Sequence, residues 1–145
     1  MKFTGEFEVK ADAGSVFDFL TDAHRMASLV PDVENMEVTE SGDIRMTVRV
    51  GLSFIKGRFN LRMRILNRIP KSHAEIQGNG SGSGSSVDFH GYCDISEEQG
   101  RSRVKWSADV TIGGLAATMG SRMVQNASEK YIAQLVESFR KAFEK

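Results

Sequence analysis

The chain has 145 residues, 26% of them charged and 40% apolar, and its 19 basic and 19 acidic side chains balance to zero. That length fits a single domain with its own core. One cysteine, Cys93, excludes an internal disulfide and a cysteine-rich zinc site and favours the cytoplasm, while the absence of a signal-peptide core or a run near ~20 apolar residues limits membrane contact to the periphery.

The opening FTGEFEV alternates strictly, with Phe3, Gly5, Phe7 and Val9 on one face, and reads as a strand. ADAGSVFDFLTD changes to helical spacing at Val16, Phe17 and Leu20, with Asp12 as N-cap. DAHRMASLVPDV reads as a second short helix, capped by Asp22 and stopped before Pro31. About six antiparallel strands follow, beginning at VENMEVTE. Inward phases run Ile44, Met46, Val48, Val50; then Ile55, Phe59, Leu61, Met63, Ile65; then Val87, Phe89, Cys93, Ile95; then Val104, Trp106, Ala108, Val110, Ile112. From Gly113-Gly114 the period becomes helical to the end of the chain. Its apolar stripe is Leu115, Met119, Met123, Ala127, Tyr131, Leu135, Phe139, Phe143.

Charge is unevenly spread. Residues 44–74 carry Arg45, Arg49, Lys56, Arg58, Arg62, Arg64, Arg68 and Lys71 and no acid, whereas residues 1–43 hold ten acids and three bases. Such a stripe is either a solvated strand face offset by neighbouring acids or a docking face for an anionic partner.

IQGNGSGSGSS, residues 76–86, has nine glycines and serines in eleven places. No lysine or helix follows in the positions that phosphate-binding loops require, and strands resume at once. The stretch is therefore strand, with Ala74, Ile76, Gly78, Gly80 and Gly82 in the inward phase. Its missing side chains either permit a bend or close helix approach, or leave space between sheet and helix.

This order of elements resembles the helix-grip fold of START-like and Bet v 1-like proteins. That α+β fold is a curved antiparallel sheet around a long C-terminal helix, with two short helices after the first strand. MKFTGEFEVKADAGSVFDFLTDAHRMASLVPDVENME, EIQGNGSGSGSSVDF, RVKWSADVTIGGLAATMGSRMV and the closing helix are similar to the carbon monoxide dehydrogenase CoxG family over essentially the whole chain. The resemblance implies an accessory protein of molybdenum hydroxylases of the carbon monoxide dehydrogenase type, linked to enzyme maturation, membrane attachment and lipophilic quinones. Longer members carry a further tail, proposed as a membrane tether; the present sequence stops at Lys145, which weakens that expectation here.

Catalytic signatures are missing. His24, His73 and His90 have no metal-ligand spacing, and no HExxH or GxSxG motif is present. Cys93, among inward apolar residues, reads as a buried inert thiol. Neither enzymatic turnover nor a cofactor is expected. The expected ligand site is a cavity lined by Ile55 (or Phe54), Phe59, Met63, Gly78, Gly80, Gly82, Phe89, Trp106, Ala116, Met119, Gly120 and Met123. It would take an apolar molecule, such as an isoprenoid quinone. The short helices and residues 51–57 would form its mouth, and the protein would lie in the cytoplasm or at the inner membrane face. A second reading has a filled core and a partner-docking face of Arg45, Arg49, Arg58, Arg62 and Arg64, directed at the partner enzyme or an anionic bilayer. Nucleic acid is not expected, because the aromatics face away from the basic stripe.

Overall fold

The computed structural model describes residues 1–51 and 56–143. Ile55 and Phe54, expected at the cavity, lie outside the described residues. Strand β1 (Lys2–Val9) leads into helices α1 (Ala13–Leu20) and α2 (Ala23–Ala27). Strands β2 (Val33–Val38), β3 (Ile44–Gly51), β4 (Lys56–Ile69), β5 (His73–Gly82), β6 (Ser85–Glu98) and β7 (Arg101–Gly114) follow. A 3-10 turn (Leu115–Met119) then precedes α3 (Ser121–Lys141).

The seven strands form one curved antiparallel sheet in the order β1-β7-β6-β5-β4-β3-β2. The period-two pattern sets this up, because every strand has an apolar phase to bury on the concave side. Both short helices start at the aspartates expected from the sequence. Asp12 accepts from the Ser15 amide at 3.3 Å, and Asp22 from the Arg25 amide at 3.1 Å. The glycine-serine stretch resolves into the end of β5, the start of β6 and a two-residue hairpin turn between them. In that turn Ser83 and Gly84 have φ of 50° and 75°, the left-handed pair that matches strand twist.

The C-terminal helix begins later than its stripe suggests. The strand persists to Gly114, and the next turn is tied to the β5–β6 hairpin rather than to a helix. Leu115 N donates to Gly84 O at 2.9 Å, and Ala116 N donates to Ser85 Oγ at 3.0 Å. Gly120, at φ 96°, breaks the path before α3 starts. The helix proper has 21 residues, about 32 Å at 1.5 Å each.

The buried residues fall into two clusters. One joins β1, α1 and the end of α3: Val9, Val16, Phe19, Leu20, Ile95, Val104 and Phe139. The other lies under α2 against the far half of the sheet: Ala27, Ile44, Met46, Val48, Phe59, Met63 and Ile65. Helix α3 is anchored in the first by rings. Phe139 meets Phe7 and Phe19 edge-on at 5.5 and 4.9 Å between centroids, with Phe143 at 5.3 Å.

Candidate functional site

Between the two clusters lies a cavity of about 350 Å³. The sheet gives it a floor of Phe59, Leu61, Met63, Ile76, Phe89 and Trp106. The middle of α3 supplies the roof through Ser128, Tyr131, Ile132, Leu135 and Val136, and Met26, Leu29 and Val30 close the side at α2. Among the described residues no carboxylate, imidazole, amine or guanidinium lines it. Hydrophobic burial is therefore the main attraction it offers a ligand.

Four residues expected at the site do line this cavity: Phe59, Met63, Phe89 and Trp106. Trp106 is half-buried, packs over Gly5 and presents the rest of its ring to the hollow. Gly78, Gly80 and Gly82 share the inward phase but are covered by neighbours. A Cβ at Gly78 would meet Phe89 and Met63, one at Gly80 would meet Leu61 and Val87, and one at Gly82 would strike the Arg58 backbone. These glycines let side chains of β4 and β6 fold across β5, so they shape the floor indirectly. Ala116 is buried beneath the β5–β6 hairpin, outside the lining. Met119 and Met123 are exposed, at 48% and 46%, and Gly120 is the backbone break.

Phase explains where the two methionines sit. The stripe read in the sequence advances by four residues, which drifts about 40° per step on a 3.6-residue helix. Over the 16 residues from Met123 to Phe139 the two directions differ by about 160°. The face that lines the cavity steps by three and four instead, through Ser128, Tyr131, Ile132, Leu135, Val136 and Phe139. Gly91 and Ala108, paired across β6 and β7, are further lining residues. Strand alternation alone would have found both.

Cys93 faces the cavity, and its apolar surroundings push the thiol up to about 12. It is therefore protonated and unreactive at neutral pH. No group of three histidine, cysteine, aspartate or glutamate side chains among the described residues could hold a metal.

The convex face carries the arginines. Arg58 pairs with Glu34 at 2.9 Å, Arg49 reaches the same carboxylate at 3.6 Å, and Arg64 pairs with Asp43 at 2.6 Å. Arg45 and Arg62 stand directly opposite each other on β3 and β4 and have no ion pair among the described residues. A shallow polar hollow of about 420 Å³ lies beside Arg62 and Arg64, with Asp43, Asp88, His90 and Asp109 also on its rim.

The same face holds a network that strand phase alone does not reveal. Glu75 lies between two imidazoles, at 2.6 Å from His73 Nε2 and 2.7 Å from His90 Nε2, and the Asn67 amide donates to it at 3.0 Å. His73 Nδ1 reaches Asp94 at 2.7 Å. With a carboxylate on each nitrogen the His73 ring is held as the cation, so its pKa rises above 6.5, through Glu75 first and then Asp94. The His73 hydrogen bond in turn holds Glu75 down at about 2. The His73 contribution to stability is complete below pH 6.5 and is lost as pH rises through the folded-state value. That of Glu75 is complete above pH 4.5 and fades as pH falls toward 2. The melting temperature is expected to fall from pH 6 to pH 8.5, and His73→Gln should flatten that fall. An unchanged slope in the variant would remove His73 as the cause.

Comparison with known proteins agrees with this architecture. A family model for CoxG, described by its association with carbon monoxide dehydrogenase, matches residues 5–144. No curated protein matches the chain. Among solved structures, a conserved protein from Geobacillus kaustophilus superimposes with a TM-score of 0.89 at 18% identity, covering 99% of this chain and 95% of the other. A START superfamily protein from Mycobacterium smegmatis gives 0.72 at 11% identity, covering 99% and 97%. Ara h 8.0201 gives 0.64 at 14% identity, also covering 99% and 97%. The fold is the helix-grip arrangement of START-like and Bet v 1-like proteins.

Proposed function

Because the chain belongs to the carbon monoxide dehydrogenase CoxG family, we propose that it is a non-enzymatic carrier of a lipophilic small molecule, serving a molybdenum hydroxylase of the carbon monoxide dehydrogenase type. An isoprenoid quinone is the ligand class that family and cavity together favour. The observation that carries this reading is the apolar cavity of about 350 Å³ between the two buried clusters. Its volume falls in the range of about 300–1,000 Å³ that small-molecule sites occupy. Turnover has no support in the lining, which offers an un-ionised thiol and hydroxyls but no base. No helix among the described residues is long and apolar enough to cross a membrane.

Trp106, the one tryptophan in the chain, borders the cavity and provides a built-in reporter. Titration with a short-chain quinone should quench its emission saturably, at one ligand per chain. Native mass spectrometry after purification from a membrane-containing lysate should show an apolar adduct. Linear, unsaturable quenching together with a bare mass would reject the carrier.

A second reading rests on Arg45 and Arg62. Two cations facing each other across a ladder repel, and among the described residues no acid relieves them. An anionic partner surface would. Arg45→Glu with Arg62→Glu is expected to weaken association with the partner enzyme while the melting temperature holds, since exposed substitutions shift stability by about 0.5 kcal/mol or less. Undiminished association at low salt would leave the pair as plain solvated surface.

A further inference from the structure

The carrier reading leaves open which polar feature, if any, the ligand must have. The hydroxyl-bearing side chains around the cavity sort themselves by phase. Ser86, Tyr92 and Ser107 belong to the outward phase of β6 and β7, where Tyr92 stacks on His90 at 4.2 Å. Ser128 spends its proton on Val124 O at 2.8 Å. Tyr131 differs from all of these. It lines the cavity from the middle of α3, is half-buried, and its hydroxyl has no hydrogen-bond partner among the described residues. Burial and then the nearby Asp32 carboxylate push the phenol's pKa up, so it stays neutral and keeps its proton to donate. Asp32 sits in the loop before β2, next to lining residue Val30.

We propose that the cavity selects electrically neutral amphiphiles that carry a hydrogen-bond acceptor, seated on the Tyr131 hydroxyl with the apolar body over Phe59, Phe89 and Trp106. This rests on the carrier reading. A free donor in an apolar enclosure rewards a carbonyl, ether or hydroxyl oxygen placed against it. A carboxylate head is disfavoured twice over: no cation lines the cavity to pair with it, and Asp32 stands at the same end. Burying an unpaired charge costs far more than one hydrogen bond returns. Fatty-acid anions are therefore excluded, and neutral lipids with a carbonyl end are admitted.

Four ring compounds of matched shape test this by calorimetry. They are 2,3-dimethyl-1,4-naphthoquinone, 2,3-dimethylnaphthalene, 2-naphthoate and 2-naphthylmethylammonium. The quinone should bind tightest and both ions weakest. Tyr131→Phe keeps the ring and removes only the hydroxyl. It should weaken the quinone about fivefold, the worth of one neutral hydrogen bond, and leave dimethylnaphthalene within about twofold. Equal losses for both neutral probes would reduce Tyr131 to a packing residue, and no loss for either would remove it from the site. Either ion binding as tightly as the quinone would overturn the neutrality rule. Each of these outcomes leaves the carrier standing if dimethylnaphthalene binds the wild type. If no probe binds the wild type, the carrier reading fails, and this proposal fails with it.

Discussion

Phe139→Ala is expected to lower stability by about 3–5 kcal/mol, a large part of what a domain of this size possesses. The ring is 4% exposed and touches Phe7 on β1, Phe19 on α1 and Phe143 beyond α3. These contacts join the first strand, the first helix and the last helix, which are far apart in sequence. Removing the ring leaves a hole that the rigid sheet edge cannot close, so a cavity cost adds to the lost burial. It also enlarges the hollow already beside it, since Phe139 forms part of the cavity wall. Urea denaturation provides the measurement. A loss under about 1 kcal/mol would mean that α3 is held mainly elsewhere.

Ala108→Phe is expected to separate binding from folding. Ala108 lies in the inward phase of β7, level with Phe3 on β1 and Gly91 on β6, and it lines the cavity. A ring placed there occupies the ligand's volume. Affinity for 2,3-dimethylnaphthalene should fall by about a hundredfold or more, as the contacts that drive apolar binding are pre-empted. Stability should hold or rise slightly, because the added ring buries apolar surface that now lines empty space. In a filled core the same change would overpack and cost about 1–3 kcal/mol. Intact binding in a protein that melts several degrees lower would place Ala108 in close packing and count against an open cavity.

Most of the fold was legible in the sequence because burial on one face of a sheet forces period two. The same alternation placed Phe59, Met63, Phe89 and Trp106 on the concave side. What escaped depends on contacts between distant segments. The start of α3 is set by Ser85 capturing the Ala116 amide and by the turn at Gly120, and neither interrupts the apolar stripe. The helix side of the cavity was missed for a related reason, since a four-residue step drifts around the helix while a mixed step stays on one face. The glycines of β5 were correctly phased, but only the register shows that Leu61, Met63, Val87 and Phe89 cover them. The arginine stripe read as one block, yet β2 and the turn before β3 bring Glu34 and Asp43 to three of its five members. The Glu75 network needed the pairing of β5 with β6 before His73 and His90 could be seen to share one carboxylate.

The split core also has a mechanical meaning. Helix α3 is a beam resting on supports at its two ends and bridging a gap at mid-span. The supports are unequal. The C-terminal bearing is a clamp of four aromatic rings. At the other end the helix has no side-chain cap and hangs from a single turn of 3-10 helix bounded by glycines at positive φ. A bulky load entering the gap therefore tips the beam about its clamped end, with the glycine-bounded turn as the hinge that yields. Backbone amides of residues 115–123 should accordingly exchange with solvent well before those of residues 135–141.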